Sequence, residues 1–270
     1  MPELPEVEVT RRGLAPQLAG RRISGVSVRE PRLRWPVPSA VLALAGRTVS
    51  AVRRRGKYLL VDCGDGHLIL HLGMSGSLRV LDPATPLEPH DHYDLLLESG
   101  RCLRFNDPRR FGSLHWSEGD PADHPLLAAL GPEPLTSAFN ADYLARRARG
   151  RRVAIKQFLM DQRVVVGVGN IYASEALYRA GVHPRRAAGR VSGARLAALV
   201  EAIRAVLGAA IRAGGTTLRD YVGADGTPGY FRQRLYVYER AGRPCRRCRT
   251  PVRHLVQGQR STYYCPRCQR

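Results

Sequence analysis

Four cysteines near the end of the chain constrain its fold more than any other feature. Cys245-x2-Cys248-x16-Cys265-x2-Cys268 sets two knuckles on either side of a segment long enough for a β-hairpin. Two such pairs bring four thiolates to one point, the donor set of a structural zinc site. Four sulfur ligands complete a tetrahedron and leave no position for water, so one Zn2+ is expected to hold the fold and not to hydrolyse a substrate. His254 is a spare donor that the tetrahedron does not need. The other two cysteines of the six, Cys63 and Cys102, lie in strand-like runs and read as buried thiols. The N-terminus has no basic-then-apolar signal pattern, which argues against a disulfide framework and for a cytoplasmic, soluble protein.

Upstream of the cysteines the periodicity divides the chain. Residues 1 to about 20 pattern as a helix, with Leu4, Val7, Leu14 and Leu18 at mixed three- and four-residue spacings and Gly20 as a stop. The period then changes to two, predicting strands at Ile23–Val28, Val49–Cys63, His67–Leu81, Tyr93–Glu98 and Cys102–Phe105, and with them an antiparallel sandwich or barrel. Between Glu118 and Asn140 the pattern is lost among four prolines, and a linker is expected there. Helical patterns follow at Ala141–Arg149, Val153–Asp161, Asn170–Ala180 and Ala194–Ala213. The expected fold is therefore α+β in two domains. The expected boundaries are 1–120 for an N-terminal sandwich domain, 121–140 for the linker, 141–234 for a helical domain and 235–270 for the zinc module.

Charge narrows the partner. The 43 basic residues against 23 acidic give a formal net charge of +20, pointing to a polyanion, with nucleic acid the first candidate. No apolar run approaches the roughly 18 residues of a spanning helix, so no membrane is expected. Only two of the 43 basic residues, Lys57 and Lys156, are lysines; either they survive by accident, or they mark sites that need a compact, titratable ammonium. From Arg240 to Arg270 there are nine arginines and no acid, a surface suited to a phosphate backbone. Arg260 lies between the two knuckles, where a hairpin can project one side chain.

The N-terminus carries the sharpest chemical hint. Pro2 follows a removable Met1 and would become a free secondary amine, able to form an iminium with an aldehyde-like carbon. Glu3 and Glu6 stand beside it. The plainer alternative is that the prolines and acids only start a helix. Gly167-Val168-Gly169-Asn170 opens a helix, with Asn170 expected as its cap and free amides nearby for an anion; a simple tight turn is the other reading. The longer glycine fingerprint of a nucleotide site is absent, so no nucleotide cofactor is expected. Lys57 enters an apolar strand. Met74, in the turn after His71, and Arg109 and Phe111, in Asn106-Asp107-Pro108-Arg109-Arg110-Phe111-Gly112, are residue types that can wedge between bases.

From Pro2 to Gln269 these motifs, in this order, resemble the formamidopyrimidine-DNA glycosylase family, bifunctional enzymes that excise oxidised purines. The resemblance implies an N-terminal helix on a β-sandwich, then a helix-two-turn-helix domain ending in the zinc finger, with damaged double-stranded DNA bound between the domains by a monomer. It assigns Pro2 as the nucleophile, forming a Schiff base at the sugar C1′, and Glu3 as the acid that helps open the ring. Lys57 and Arg260 would assist β- and δ-elimination, and Glu6 would order the site. His71, His90, Arg109, Arg151, Lys156 and Asn170 would contact DNA, Met74, Arg109 and Phe111 would fill the gap left by a flipped nucleotide, and Thr216 to Tyr230 would cover the flipped base. Reaching a base inside a duplex requires such flipping.

Two alternatives remain. An enzyme of the endonuclease VIII type would share the architecture and remove oxidised pyrimidines, but differs at the N-terminus and the wedge. A non-catalytic zinc-containing DNA-binding protein would explain the charge and the finger, and leaves Pro2, Glu3 and Lys57 without a purpose.

Overall fold

The computed structural model describes residues 2–215 and 235–270. The described residues cluster into two units, the first of residues 2–128 with 213–215, the second of residues 129–212 with 235–270.

The first unit begins with helix α1 (Leu4–Leu18). Leu4, Val7, Leu14 and Leu18 are each at most 1% exposed, so the apolar stripe is fully used, and Gly20 ends the run with φ 77. Two four-stranded antiparallel sheets follow. One orders β1 (Ile23–Val28), β6 (Asp91–Leu97), β7 (Cys102–Asn106) and β5 (Ser77–Leu81); the other orders β2 (Ala51–Arg55), β3 (Tyr58–Asp62), β4 (Gly66–His71) and β8 (Ser113–Glu118). Their inward residues, among them Val52, Leu59, Val61, Leu70, Leu78, Leu95, Leu103 and Phe105, form one core with Val7, Leu14 and Leu18 of α1. This is the sandwich that the alternation implies.

Two runs that read as single strands are each broken in two. Val49–Cys63 turns back at Gly56-Lys57, a two-residue hairpin loop in which Gly56 takes φ 57, a backbone that favours glycine. His67–Leu81 is interrupted by residues 72–76, where a Cβ on Gly73 would stand 2.4 Å from the Gly112 nitrogen. Strand β8 is an addition. Its sequence, Ser-Leu-His-Trp-Ser-Glu, contains only two large apolar residues, and pairing with β4 fixes it.

In the second unit, α3 (Ala141–Ala148) is capped by Asn140, whose side chain accepts the Tyr143 N–H at 2.9 Å. Helices α4 (Ile155–Met160) and α5 (Asn170–Arg179) are joined by two turns. Gln162 ties those turns together, accepting the Gly167 N–H at 2.8 Å and donating to the Val168 carbonyl at 3.4 Å. The long α6 (Gly193–Arg212) buries Leu196, Leu199, Val200, Ile203, Val206 and Leu207. A hairpin of β9 (Arg253–Gln257) and β10 (Arg260–Tyr264) completes the unit. The segment read as an unpatterned linker holds only a 3-10 turn at Pro121–Asp123 and a short helix, α2 (Pro125–Ala128). No described helix is long and apolar enough to cross a membrane. The Thr216 to Tyr230 segment lies outside the described residues.

Candidate functional site

At the head of α1, Pro2 is buried, and Glu3 and Glu6 are 1% and 2% exposed. The two acids form a reciprocal capping box. The Glu3 N–H donates to the Glu6 carboxylate at 2.8 Å, and the Glu3 carboxylate accepts the Glu6 N–H. Both carboxyl groups thus sit at the N-terminal end of the helix, bonded to its free amides.

Lys57 occupies the tip of the β2–β3 hairpin, so it stands in a turn and not within a strand. The next residue, Tyr58, pairs in register with His71 on β4, their rings 4.9 Å apart. His71 Nδ1 accepts the Gly73 N–H at 3.0 Å. Burial, followed by the positive charges of Lys57, Arg34 and His115, pulls the His71 imidazole down to about 3. The ring is neutral at physiological pH, an acceptor at Nδ1 and a donor at Nε2.

Met74, Arg109 and Phe111 come from two turns that press on one another. Asp107, fully buried, joins them: its Oδ1 accepts the Ser75 hydroxyl at 2.6 Å, and its Oδ2 accepts the Gly112 N–H at 2.7 Å. The Arg109 guanidinium lies over the Phe111 ring at 5.0 Å, and Phe111 is 42% exposed. An exposed aromatic stacked by a cation is a ready surface for a base. The exposed His90 joins the same assembly, its carbonyl accepting the Asp107 N–H at 3.1 Å.

In the second unit the Lys156 ammonium is 1% exposed. It donates to Asn170 Oδ1 at 2.6 Å, the Ser261 carbonyl at 2.9 Å and Thr262 Oγ1 at 2.7 Å. Asn170 is the first residue of α5, and the cap is Gly169. The expected capping role fails because the Asn170 side chain is engaged elsewhere, its Oδ1 by Lys156 and its Nδ2 by Tyr238 Oη at 3.3 Å. Arg260, exposed, opens β10 beside Ser261, after a two-residue turn in which Gly258 and Gln259 take φ 55 and 59. Arg151 is exposed and lines a cavity of about 260 Å³ with Arg147, Gln157 and Arg163.

The four cysteine sulfurs lie within 4.8 Å of one another, with Cys245–Cys268 at 3.9 Å and Cys248–Cys265 at 3.4 Å. Zinc–sulfur bonds of about 2.3 Å imply tetrahedral edges of about 3.8 Å, so the donors fit zinc. Backbone N–H groups of Arg247 and Cys268 point at Cys245 and Cys265 sulfurs at 3.4 Å, as thiolates require.

Three family profiles cover nearly the whole chain. Residues 1–114 match the formamidopyrimidine-DNA glycosylase N-terminal domain, residues 130–222 the H2TH domain of the same glycosylase, and residues 242–270 the zinc finger found in FPG and IleRS. The chain belongs to the formamidopyrimidine-DNA glycosylase family. Formamidopyrimidine-DNA glycosylases of Thioalkalivibrio sulfidiphilus and Methylococcus capsulatus are 63% and 62% identical to it, each match spanning 100% of both chains. Among solved structures, the MutM (Fpg) protein of Thermus thermophilus aligns with TM-score 0.90 and 42% identity, over 99% of this chain and 98% of that one. The Lactococcus lactis Fpg in complex with DNA containing an abasic site aligns with TM-score 0.92 and 33% identity, over 99% of each chain. The glycosylase finger in this chain holds one structural zinc through Cys245, Cys248, Cys265 and Cys268.

Within the glycosylase fold two residues matter that the sequence motifs do not single out. One is Asp107. The other is Glu175, 1% exposed, whose carboxylate accepts the N–H groups of Tyr236, Val237 and Tyr238 at 2.9–3.1 Å. Burial pushes its carboxyl up, against the pull of those amides. The sequence carries only a faint cue, an acid set in the mostly apolar run Ile171–Tyr178, which the structure buries throughout.

Proposed function

We propose that this protein is a base-excision DNA repair enzyme that flips oxidised purines out of double-stranded DNA, excises them and then cleaves the strand. The carrying observation is the head of α1, where Pro2 and the Glu3–Glu6 pair are buried together. A relative at 63% identity over the full length bears the glycosylase name, and neighbouring structures at TM-scores of 0.92–0.93 hold DNA with an abasic site or a Fapy-dG lesion.

With Met1 removed, the Pro2 nitrogen adds to the sugar C1′ as the glycosidic bond breaks, and the proton that the nitrogen sheds goes to the departing base. Glu3 donates a proton to the ring oxygen, the ring opens, and an iminium joins Pro2 to the sugar. The iminium acidifies the neighbouring carbon, so loss of a proton expels the 3′ phosphate, and a second such loss expels the 5′ phosphate. Lys57 and Arg260 hold the phosphates and assist these eliminations, and Glu6 orders Glu3. His71, His90, Arg151 and Asn170 contact DNA. Lys156, turned inward, acts on DNA through Asn170 and the hairpin of Arg260. Met74, Arg109 and Phe111 fill the gap, and the fixed donors of Arg109 suit the acceptor edge of an orphaned cytosine. The enzyme works as a monomer without a nucleotide cofactor. The zinc, when bound, supplies only the rigidity of the finger.

The test is borohydride trapping of the untagged protein on duplexes carrying 8-oxoguanine opposite cytosine or an oxidised pyrimidine, with the adduct located by peptide mass. An adduct at Pro2 formed chiefly with the purine lesion is expected. Preference for the pyrimidine would move the substrate class to that of endonuclease VIII, and intact binding without an adduct would leave a non-catalytic DNA binder.

A further inference from the structure

An ionic relay joins the Lys57 turn to the helix that carries Pro2. Glu8, on α1, meets Arg54, on β2, at 3.2 Å, and each side chain is 12% exposed. The second arm of the same guanidinium, Nη1, donates to the carbonyl of Gly56 at 2.9 Å, within the two-residue loop that presents Lys57. Glu8 also takes Arg11 at 2.9 Å and Arg12 at 2.8 Å. One carboxylate thus orients the arginine that holds the turn.

We propose that Glu8 and Arg54 are positioning residues that fix the Lys57 loop relative to the N-terminal helix. The helix itself does not need the relay. Leu4, Val7, Leu14 and Leu18 already anchor α1 with at most 1% exposure each. A two-residue hairpin loop, in contrast, has no core of its own, so a side chain bonded to its backbone helps to set its direction. Arg54 does so with two donors held in one plane, one for the carboxylate and one for the carbonyl. A lysine there would keep the charge but present one compact ammonium, unable to span both acceptors. The geometry therefore separates a positional role from a purely electrostatic one. The functional consequence rests on the reading that Lys57 assists strand cleavage.

The experiment compares Glu8→Gln, Arg54→Lys and an Arg12→Gln control with the unaltered, zinc-loaded protein. Single-turnover cleavage of a preformed abasic duplex, affinity for that duplex, Tm, and amide hydrogen exchange across residues 55–60 are measured. Glu8→Gln and Arg54→Lys are expected to slow cleavage on the order of 10- to 100-fold, the cost of a misplaced group. Protection should be lost in residues 55–60 alone, with affinity and Tm retained and Arg12→Gln unchanged. Cleavage restored by Arg54→Lys would overturn the proposal in favour of charge alone. Losses of rate, Tm and affinity together, without a local change in exchange, would overturn it in favour of general stability. Unchanged exchange at 55–60 would show that the relay does not hold the turn. If the unaltered protein cleaves no abasic DNA, the reading of Lys57 fails, while the exchange result still decides whether the relay fixes the loop.

Discussion

The sandwich and the zinc finger hold their working side chains still by different means. In the first unit, α1 and eight strands share one apolar core, and the head of α1 and the Lys57 turn are mounted on its rim. The finger has little to bury: its cluster is Tyr178, Val237, Val252 and two of the ligand cysteines, Cys245 and Cys265. Packing positions Glu3; coordination, with one buried lysine, positions Arg260. The lesson is that a short module can be as rigid as a sandwich if it exchanges apolar area for metal bonds, and that its rigidity then depends on conditions that leave the sandwich untouched.

That contrast sets the expected order of effects. Zinc chelation, or Cys248→Ser, should melt β9 and β10 with a loss approaching the roughly 10 kcal/mol associated with structural zinc, while hydrogen exchange in the sandwich strands stays as it was. Exchange rising equally in both would break the distinction. Leu14→Ala is the converse change, expected to cost about 2–5 kcal/mol by urea denaturation of the first unit, with zinc affinity retained. Lys156→Met should cost about 1–3 kcal/mol, because it leaves Asn170 Oδ1, the Ser261 carbonyl and Thr262 Oγ1 without their donor. Its local exchange change should fall in β10 and at the start of α5.

A further effect is the acid sensitivity that His71 lends to the first unit. His71 is held neutral at about 3 in the fold against 6.5 when unfolded, so the unfolded chain binds a proton first. Stability is unaffected by this group above pH 6.5 and declines as pH falls from 6.5 towards 3. His71→Gln, which keeps an acceptor for the Gly73 N–H, should flatten that decline in urea titrations across the same window. An equal slope in the variant would remove His71 as the cause. Glu8 acts lower on the scale. Burial raises its carboxyl, but the hydrogen bonds and charges of Arg11, Arg12 and Arg54 prevail and hold it at about 2, so its contribution fades only below pH 4.5.

What the sequence reveals divides along a physical line. Helix α1, strand β1 and the cysteine knuckles are local patterns, and each is present where its pattern lies. Strand β8 has no such pattern, because its pairing with β4 supplies what its own residues lack. Lys57 reads as the start of a strand because the residues after it are apolar, and only the backbone of Gly56 reveals a turn. The interior position of Lys156 depends on acceptors at Ser261 and Thr262, more than a hundred residues away, which no spacing rule connects to it. Asp107 and Glu175 were hidden for the same reason: each is defined by a donor from a distant segment, the Ser75 hydroxyl for Asp107 and the Val237 amide for Glu175.

The Asp107 joint has a practical consequence for anyone who would retune this surface. Because Gly73 leaves no room between its Cα and the Gly112 backbone, and one carboxylate grips both loops, the Met74 loop and the Arg109–Phe111 loop form a single transplantable cassette. A graft from a relative that carries one loop without the other, or without Gly73, Asp107 and Gly112, brings in the side chains and leaves behind the joint that aims them.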